Sequence, residues 1–271
     1  MKALELALRQ IGWEQKMFWR NPPAAVFTFV FPLIFLLIFS TINADDLTGP
    51  DGQEIKFTQY YVPAIVVFGV ISACYTALAV TMCIRRCQGI LKRKRGTPLS
   101  TTVYLSGVIG NVLLVAALLC IVTMLAGTVF YSFEFPELAS RLPKLVAILA
   151  VKAFCFSALG VLISTFVPNQ DAAPAIINVI LFPLVFISGT FGEIAETSAL
   201  AKIAKFFPVW HAIQATTQML NPYSDGGIDG TNLAVMALWG AAAVLLATRR
   251  FRWDADPTAF ADGALRRRPR R

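Results

Sequence analysis

Apolar positions in this chain gather into six long runs divided by short polar stretches, at about 24–42, 60–84, 102–130, 145–167, 172–191 and 232–248. Each run approaches or exceeds the ~20 residues a helix needs to cross ~30 Å of hydrocarbon. The pattern predicts an all-α polytopic membrane protein with six transmembrane helices, a single domain over 1–271 with no room for a second. Prolines predict bends at Pro32 in the first run and at Pro174 and Pro183 in the fifth. Such breaks are tolerated in a membrane where neighbours satisfy the freed backbone groups.

The polar stretches carry their own signals. Residues 1–21 repeat Leu4, Leu8, Ile11 and Phe18 at helical spacing, with Arg9, Lys16 and Arg20 between them and Trp13 and Trp19 suited to headgroups. This reads as an amphipathic helix lying in the interface. Ser106 and Gly110, four apart in the third run, allow a close helix contact. Asp171 stands where an N-cap for the fifth run is expected. Between the last two runs, 199–219 has helical periodicity on both sides of Pro208, which predicts short re-entrant-like helices dipping into the outer leaflet.

Charge fixes the orientation. The loop 85–101 holds Arg85, Arg86, Lys92, Arg93, Lys94 and Arg95 and no acidic residue, whereas the loop after the first run holds Asp45, Asp46, Asp51 and Glu54. Lys and Arg beside span ends stay on the cytoplasmic side, so both termini, the 85–101 loop and the basic tail 249–271 are placed inside. Eighteen of the 24 Lys and Arg residues fall before Pro22, in this loop or after Thr248. The net charge of +8 is therefore a topology signal and no nucleic-acid groove is expected.

Candidate chemistry is sparse. No Gly-x-x-x-x-Gly-Lys-Ser/Thr phosphate loop occurs, so ATP would be bound by another polypeptide. Lys152 is the one basic residue well inside a run, which leaves two readings: it snorkels to the outer interface, or it joins Pro183 on a substrate path. His211, a lone histidine beside Trp210, cannot build a multi-histidine zinc site and reads as an outer-interface residue. Glu193 and Glu196 could share a helical face but have no nucleophile with them, so they read as solvated. The five cysteines include no CxxC pair and read as small packing residues. A phenylalanine-rich first run suits either lipid or a hydrophobic cargo. Membrane enzymes use clustered Asp, His or Glu, and ion-coupled carriers use buried carboxylates in spans; neither pattern is present here.

Within the basic loop, Gly89 can begin a short helix of Ile90 to Arg95, which Gly96-Thr97-Pro98 ends. The segment Gly-Ile-Leu-Lys-Arg-Lys-Arg-Gly-Thr-Pro-Leu-Ser at 89–100, followed by Thr-Val-Tyr-Leu-Ser-Gly, resembles the coupling loop of ABC transporter permeases of the type 2 exporter family, particularly the daunorubicin and multidrug-resistance permeases. Leu200, Ile203, Ala204 and Pro208, and the turn Ser188-Gly189-Thr190-Phe191, are similar to two further motifs of that family. The resemblance implies a plasma-membrane transport subunit that is not itself an enzyme. It would export a hydrophobic drug or lipid-like substrate as a homodimer, with two copies of a separate ATPase carrying the ATP and magnesium. It further implies that Gly89, Leu91, Lys92, Arg93, Arg95, Thr97, Pro98 and Leu99 receive the ATPase, with the N-terminal helix beside them. The alternative is an ion-coupled secondary carrier with no ATPase partner.

Overall fold

The computed structural model describes residues 2–42, 47–48, 54–96, 100–134, 138–191, 199–222, 224 and 226–250. Thr97, Pro98, Leu99, Glu193, Glu196 and the basic tail after 250 lie outside the described residues. Apart from one antiparallel ladder pairing β1 (Leu47–Thr48) with β2 (Glu54–Ile55), the elements are helices. In order they are α1 (Lys2–Trp19), α2 (Pro22–Ile42), α3 (Phe57–Ile71), a π-helical segment Ser72–Ala77, α4 (Leu78–Cys87), α5 (Ile90–Arg95), α6 (Thr101–Tyr131), α7 (Leu138–Ser164), α8 (Ala173–Ile187), α9 (Ala199–Ala204), α10 (Pro208–Leu220) and α11 (Gly230–Arg250).

Among the described residues, five stretches are long and apolar enough to cross a membrane: Ala25–Ile42, Phe57–Cys87, Val103–Tyr131, Ser140–Ser164 and Gly230–Arg250. The fifth predicted run differs. Its helix, α8, has 15 residues, which at 1.5 Å per residue is about 22 Å, less than the ~30 Å of a bilayer core. It ends where Gly189 takes φ +82° and the chain turns. The start of α8 also differs from expectation: its N-cap is Ala172 rather than Asp171, with no side-chain cap, and Asn169 Oδ1 accepts from Ala172 N at 2.7 Å in the preceding turn. Pro208 does break the 199–219 segment, because it occupies the first turn of α10, where its missing N–H is no loss.

The continuous rod α3–π–α4 is the axis of the bundle. Fourteen residues of α3 are buried, from Phe57 to Ile71, and the surrounding helices α2, α6, α7 and α10 pack on it. In a membrane, helices associate through close packing rather than through the hydrophobic effect, so small residues mark the seams. Gly160 of α7 meets the π segment, where an added Cβ would lie 2.8 Å from Tyr75 O and 3.0 Å from Cys74 O. Gly240 brings α11 onto α7 beside Phe154 and the Cys155 backbone.

The N-terminal helix packs on the protein along one side. It runs along α6, where Gly107 and Gly110 make room for Gln10 and Ile11. Gly107 and Gly110, not Ser106 and Gly110, therefore form this small-residue contact. Gln10 and Glu14 are buried, while Leu4, Leu8 and Trp13 face outward. The predicted stripe is thus divided, Ile11 and Phe18 going to the bundle and Leu4 and Leu8 to the surroundings.

Candidate coupling face and the groups behind it

At the basic end of the bundle, α4 stops because Gly89 adopts a left-handed conformation, φ +67° and ψ +13°. L-residues with a Cβ rarely take that conformation, so Gly89 lets the chain reverse and start α5 at once. Leu91 is fully buried and pins α5 to the apolar core, while Lys92 and Arg93 are exposed. Arg93 Nη2 donates to Gln88 O across the turn at 3.3 Å, and Lys94 Nζ lies 5.8 Å from the Tyr104 ring centroid. Arg95 is the last residue of α5. The result is a six-residue helix with an apolar anchor and a cationic outer surface.

Three elements hold this turn. Arg86 donates to Val167 O, and Gln88 Nε2 to Gln170 Oε1 at 3.4 Å, which ties α4 to the turn between α7 and α8. Cys83 Sγ donates to Asn169 O at 3.5 Å in the same place. On the other side, Arg85 Nη1 and Nη2 donate to the two carboxylate oxygens of Glu14 at 3.0 and 2.5 Å, and Nη1 also donates to Tyr104 Oη at 2.8 Å. The pair is deep, with side-chain exposures of 13% for Arg85 and 3% for Glu14. Gln10 Nε2 donates to Glu14 Oε1 at 2.9 Å, so the carboxylate is well satisfied. A fork-to-fork arginine–carboxylate pair fixes orientation as well as distance. α1, α4 and the start of α6 therefore form one joint directly behind α5.

Sequence reasoning finds the turn and its basic helix but not the joint. Glu14 and Tyr104 are 71 and 19 residues from Arg85. A faint signal existed: Glu14, the second of two acids among the apolar and basic residues of α1, with Gln10 one turn earlier.

The expectations for Lys152, Pro183 and His211 are corrected or separated. Lys152 does not snorkel: it is 3% exposed, and its Nζ donates to Thr216 Oγ1 at 2.8 Å, which itself donates to Ala212 O. Lys152 thus binds α7 to α10 within the bundle. Pro183 lies exposed on α8, so the structure does not bring the two together. His211 is buried. Its Nδ1 pairs with Asn232 Oδ1 at 2.6 Å and its Nε2 with Lys205 O at 2.8 Å, and Asn232 Nδ2 donates to Asp229 Oδ2 at 3.1 Å. Trp210 packs edge-on against it. An aromatic series, Phe31, Phe35, Phe39, Phe68 and Phe191, joins α2 to α3 and to the turn after α8.

The family model for the ABC-2 type transporter matches residues 10–220, from the α1 residues of the joint through α10. The chain belongs to the ABC-2 type transporter family. No individual curated protein matches it. It is a multi-pass membrane permease subunit of the ABC type, a transport component in a family that is usually not catalytic itself. Members of that family normally work with an ABC ATPase partner and with membrane lipids.

Proposed function

We propose that this permease is the membrane half of an ATP-driven exporter that moves a hydrophobic drug or lipid-like substrate outward across the plasma membrane. Two copies pair as a homodimer, and two ATPase subunits dock at the cytoplasmic end, bringing the ATP and magnesium. The observation that carries this reading is α5, a short helix with Leu91 buried and Lys92 and Arg93 exposed, hinged at Gly89 and braced by the Glu14–Arg85–Tyr104 joint. Such a helix offers cationic side chains to an acidic groove on a motor. Force applied to α5 passes through the Gly89 turn into the α3–π–α4 axis and from there into α1 and the turn between α7 and α8, since Arg85, Arg86 and Gln88 are bonded to these. Thr97, Pro98, Leu99 and Arg95 complete the docking surface in this proposal.

An ion-coupled carrier would call for a buried carboxylate open to a cation. Among the described residues the buried carboxylate is Glu14, and Arg85 already occupies it. The test is co-purification with a candidate ABC ATPase subunit, comparing the native chain with Gly89→Val and with Lys92→Glu plus Arg93→Glu. Gly89→Val forces a branched residue into the left-handed region, which costs about 1–2 kcal/mol. We expect both variants to insert normally and to lose at least tenfold of permease-stimulated ATP hydrolysis. Full association and full turnover in both would end the coupling-helix reading.

A further inference from the structure

A cavity of about 240 Å³ lies directly behind the coupling segment, between α1, α2, the π segment, α4 and α6. Its wall includes Glu14, Phe18, Thr28, Ala77, Arg85 and Asn111. The two charges in that wall are spent on each other, because both Nη atoms of Arg85 are directed at Glu14 and one is shared with Tyr104. An anionic headgroup therefore finds no free cation there. Asn111 is in the opposite condition: its side-chain Oδ1 is buried and takes no hydrogen bond from any described group, although its backbone oxygen accepts from Gln15. A buried acceptor without a donor is unfavourable. A ligand bearing O–H or N–H relieves it, whereas a carboxylate or phosphate sets acceptor against acceptor, with Glu14 nearby. Much of the remaining wall is apolar, with valines of α6 and Phe18 and Met17 of α1.

We propose that this cavity binds one single-chain amphiphile whose head donates hydrogen bonds, an alcohol or an amine, with the head at Asn111 and the chain along α6 and Phe18. The site lies within one protomer. It is also mechanically placed. Arg85 forms one side of the cavity and stands four residues before Gly89, so an occupant that shifts the Glu14–Arg85 pair shifts the start of α5. That second step rests on the coupling role proposed above; the binding step does not.

The experiment uses the full-length permease alone in phosphatidylcholine nanodiscs, with radiolabelled 1-dodecanol as probe and dodecylamine and dodecanoate as competitors. We expect saturable binding of one dodecanol per chain, displaced by dodecylamine and at least tenfold less well by dodecanoate. Ala77→Phe fills the cavity and should remove the saturable part. Asn111→Leu should weaken binding about tenfold. Asn111→Asp, which keeps an acceptor and adds charge, should move the preference toward the amine by a similar factor, a change that general loosening of the fold would not produce. Uptake that never saturates, or that is the same in Ala77→Phe and all Asn111 variants, shows partition into the bilayer only and overturns the site. Should Ala77→Phe not fold, the Asn111 pair decides alone. With the site established, failure of dodecylamine to change ATP turnover in the permease–ATPase complex refutes the link to α5 and leaves the site standing.

Discussion

Replacing Glu14 with leucine leaves the Arg85 guanidinium facing an apolar side chain in a place where its side chain is only 13% exposed. Breaking a buried ion pair by removing one partner costs about 3–5 kcal/mol, because the remaining charge is stranded. Arg85 keeps its hydrogen bond to Tyr104 and a little solvent, which places the expected loss at the lower end, about 3 kcal/mol. For a chain of this size, each kcal/mol lowers the melting temperature by about 2–4 °C, so Glu14→Leu should melt about 6–12 °C below the native permease. The informative partner is the triple change Glu14→Leu, Arg85→Met, Tyr104→Phe. Substituting a buried ionic group by apolar residues of similar volume is often neutral or stabilising, so the triple variant should recover most of the lost temperature. Its coupling to the ATPase should stay impaired, because α1 no longer has an oriented grip on α4. Thermal unfolding of the detergent-purified proteins, read by tryptophan fluorescence, makes the comparison. A Glu14→Leu protein melting within 1 °C of native, or a triple variant as unstable as the single, would refute the reasoning.

Other consequences follow from single contacts. Thr216→Val strands the Lys152 ammonium and should cost about 1–3 kcal/mol, while Lys152→Met should remain within about 1 kcal/mol of native; a harmless Thr216→Val in the same melting assay would restore the snorkelling reading. Gly160→Leu drives a side chain into the Tyr75 and Cys74 carbonyls and should destabilise by about 1–3 kcal/mol, seen as a lower yield of monodisperse protein and a lower melting temperature. Asn232→Leu removes the link between His211 and Asp229 and should cost about 1–3 kcal/mol, with increased hydrogen exchange in α10 and at the start of α11; unchanged exchange there would show that the link contributes nothing.

Local physics was readable from the residues, and pairings across the fold were not. The long spans, the break at Pro208 and the reversal at Gly89 each depend on neighbours within a few positions, so hydropathy and backbone propensity carry them. The two readings of Lys152, snorkelling or on a substrate path, both missed its bond to Thr216, which is 64 positions away and which nothing in α7 announces. The burial of His211 was unreadable for the same reason, its partner being Asn232 of α11. Asn169 and Asp171 are both residues that suit caps, two positions apart, and only the path of the turn brings Asn169 to Ala172 N. The shortness of α8 was hidden because the small uncharged residues Ser188, Gly189 and Thr190 do not interrupt the run before Phe191, although the helix has already ended. The Glu14–Arg85 joint needed α1 to lie on α6 with a polar face inward, an inversion of what amphipathicity alone suggests.

The π-helical segment Ser72–Ala77 sets a rotational phase. Successive residues of an α-helix turn by about 100°, and a π segment holds more residues per turn than the helix on either side of it, usually as a single-turn bulge. Rewinding Ser72–Ala77 as plain α-helix with no residue removed would rotate everything after it, α4 and the Gly89 turn together, by about 100° relative to α3. Arg85 would then point away from Glu14, and Lys92 and Arg93 would present to a different bearing. The direction in which the basic helix faces is therefore set by the winding of a six-residue segment inside the bundle, closed on one side by Gly160. A chain altered there could keep all of its spans and still aim its docking helix the wrong way.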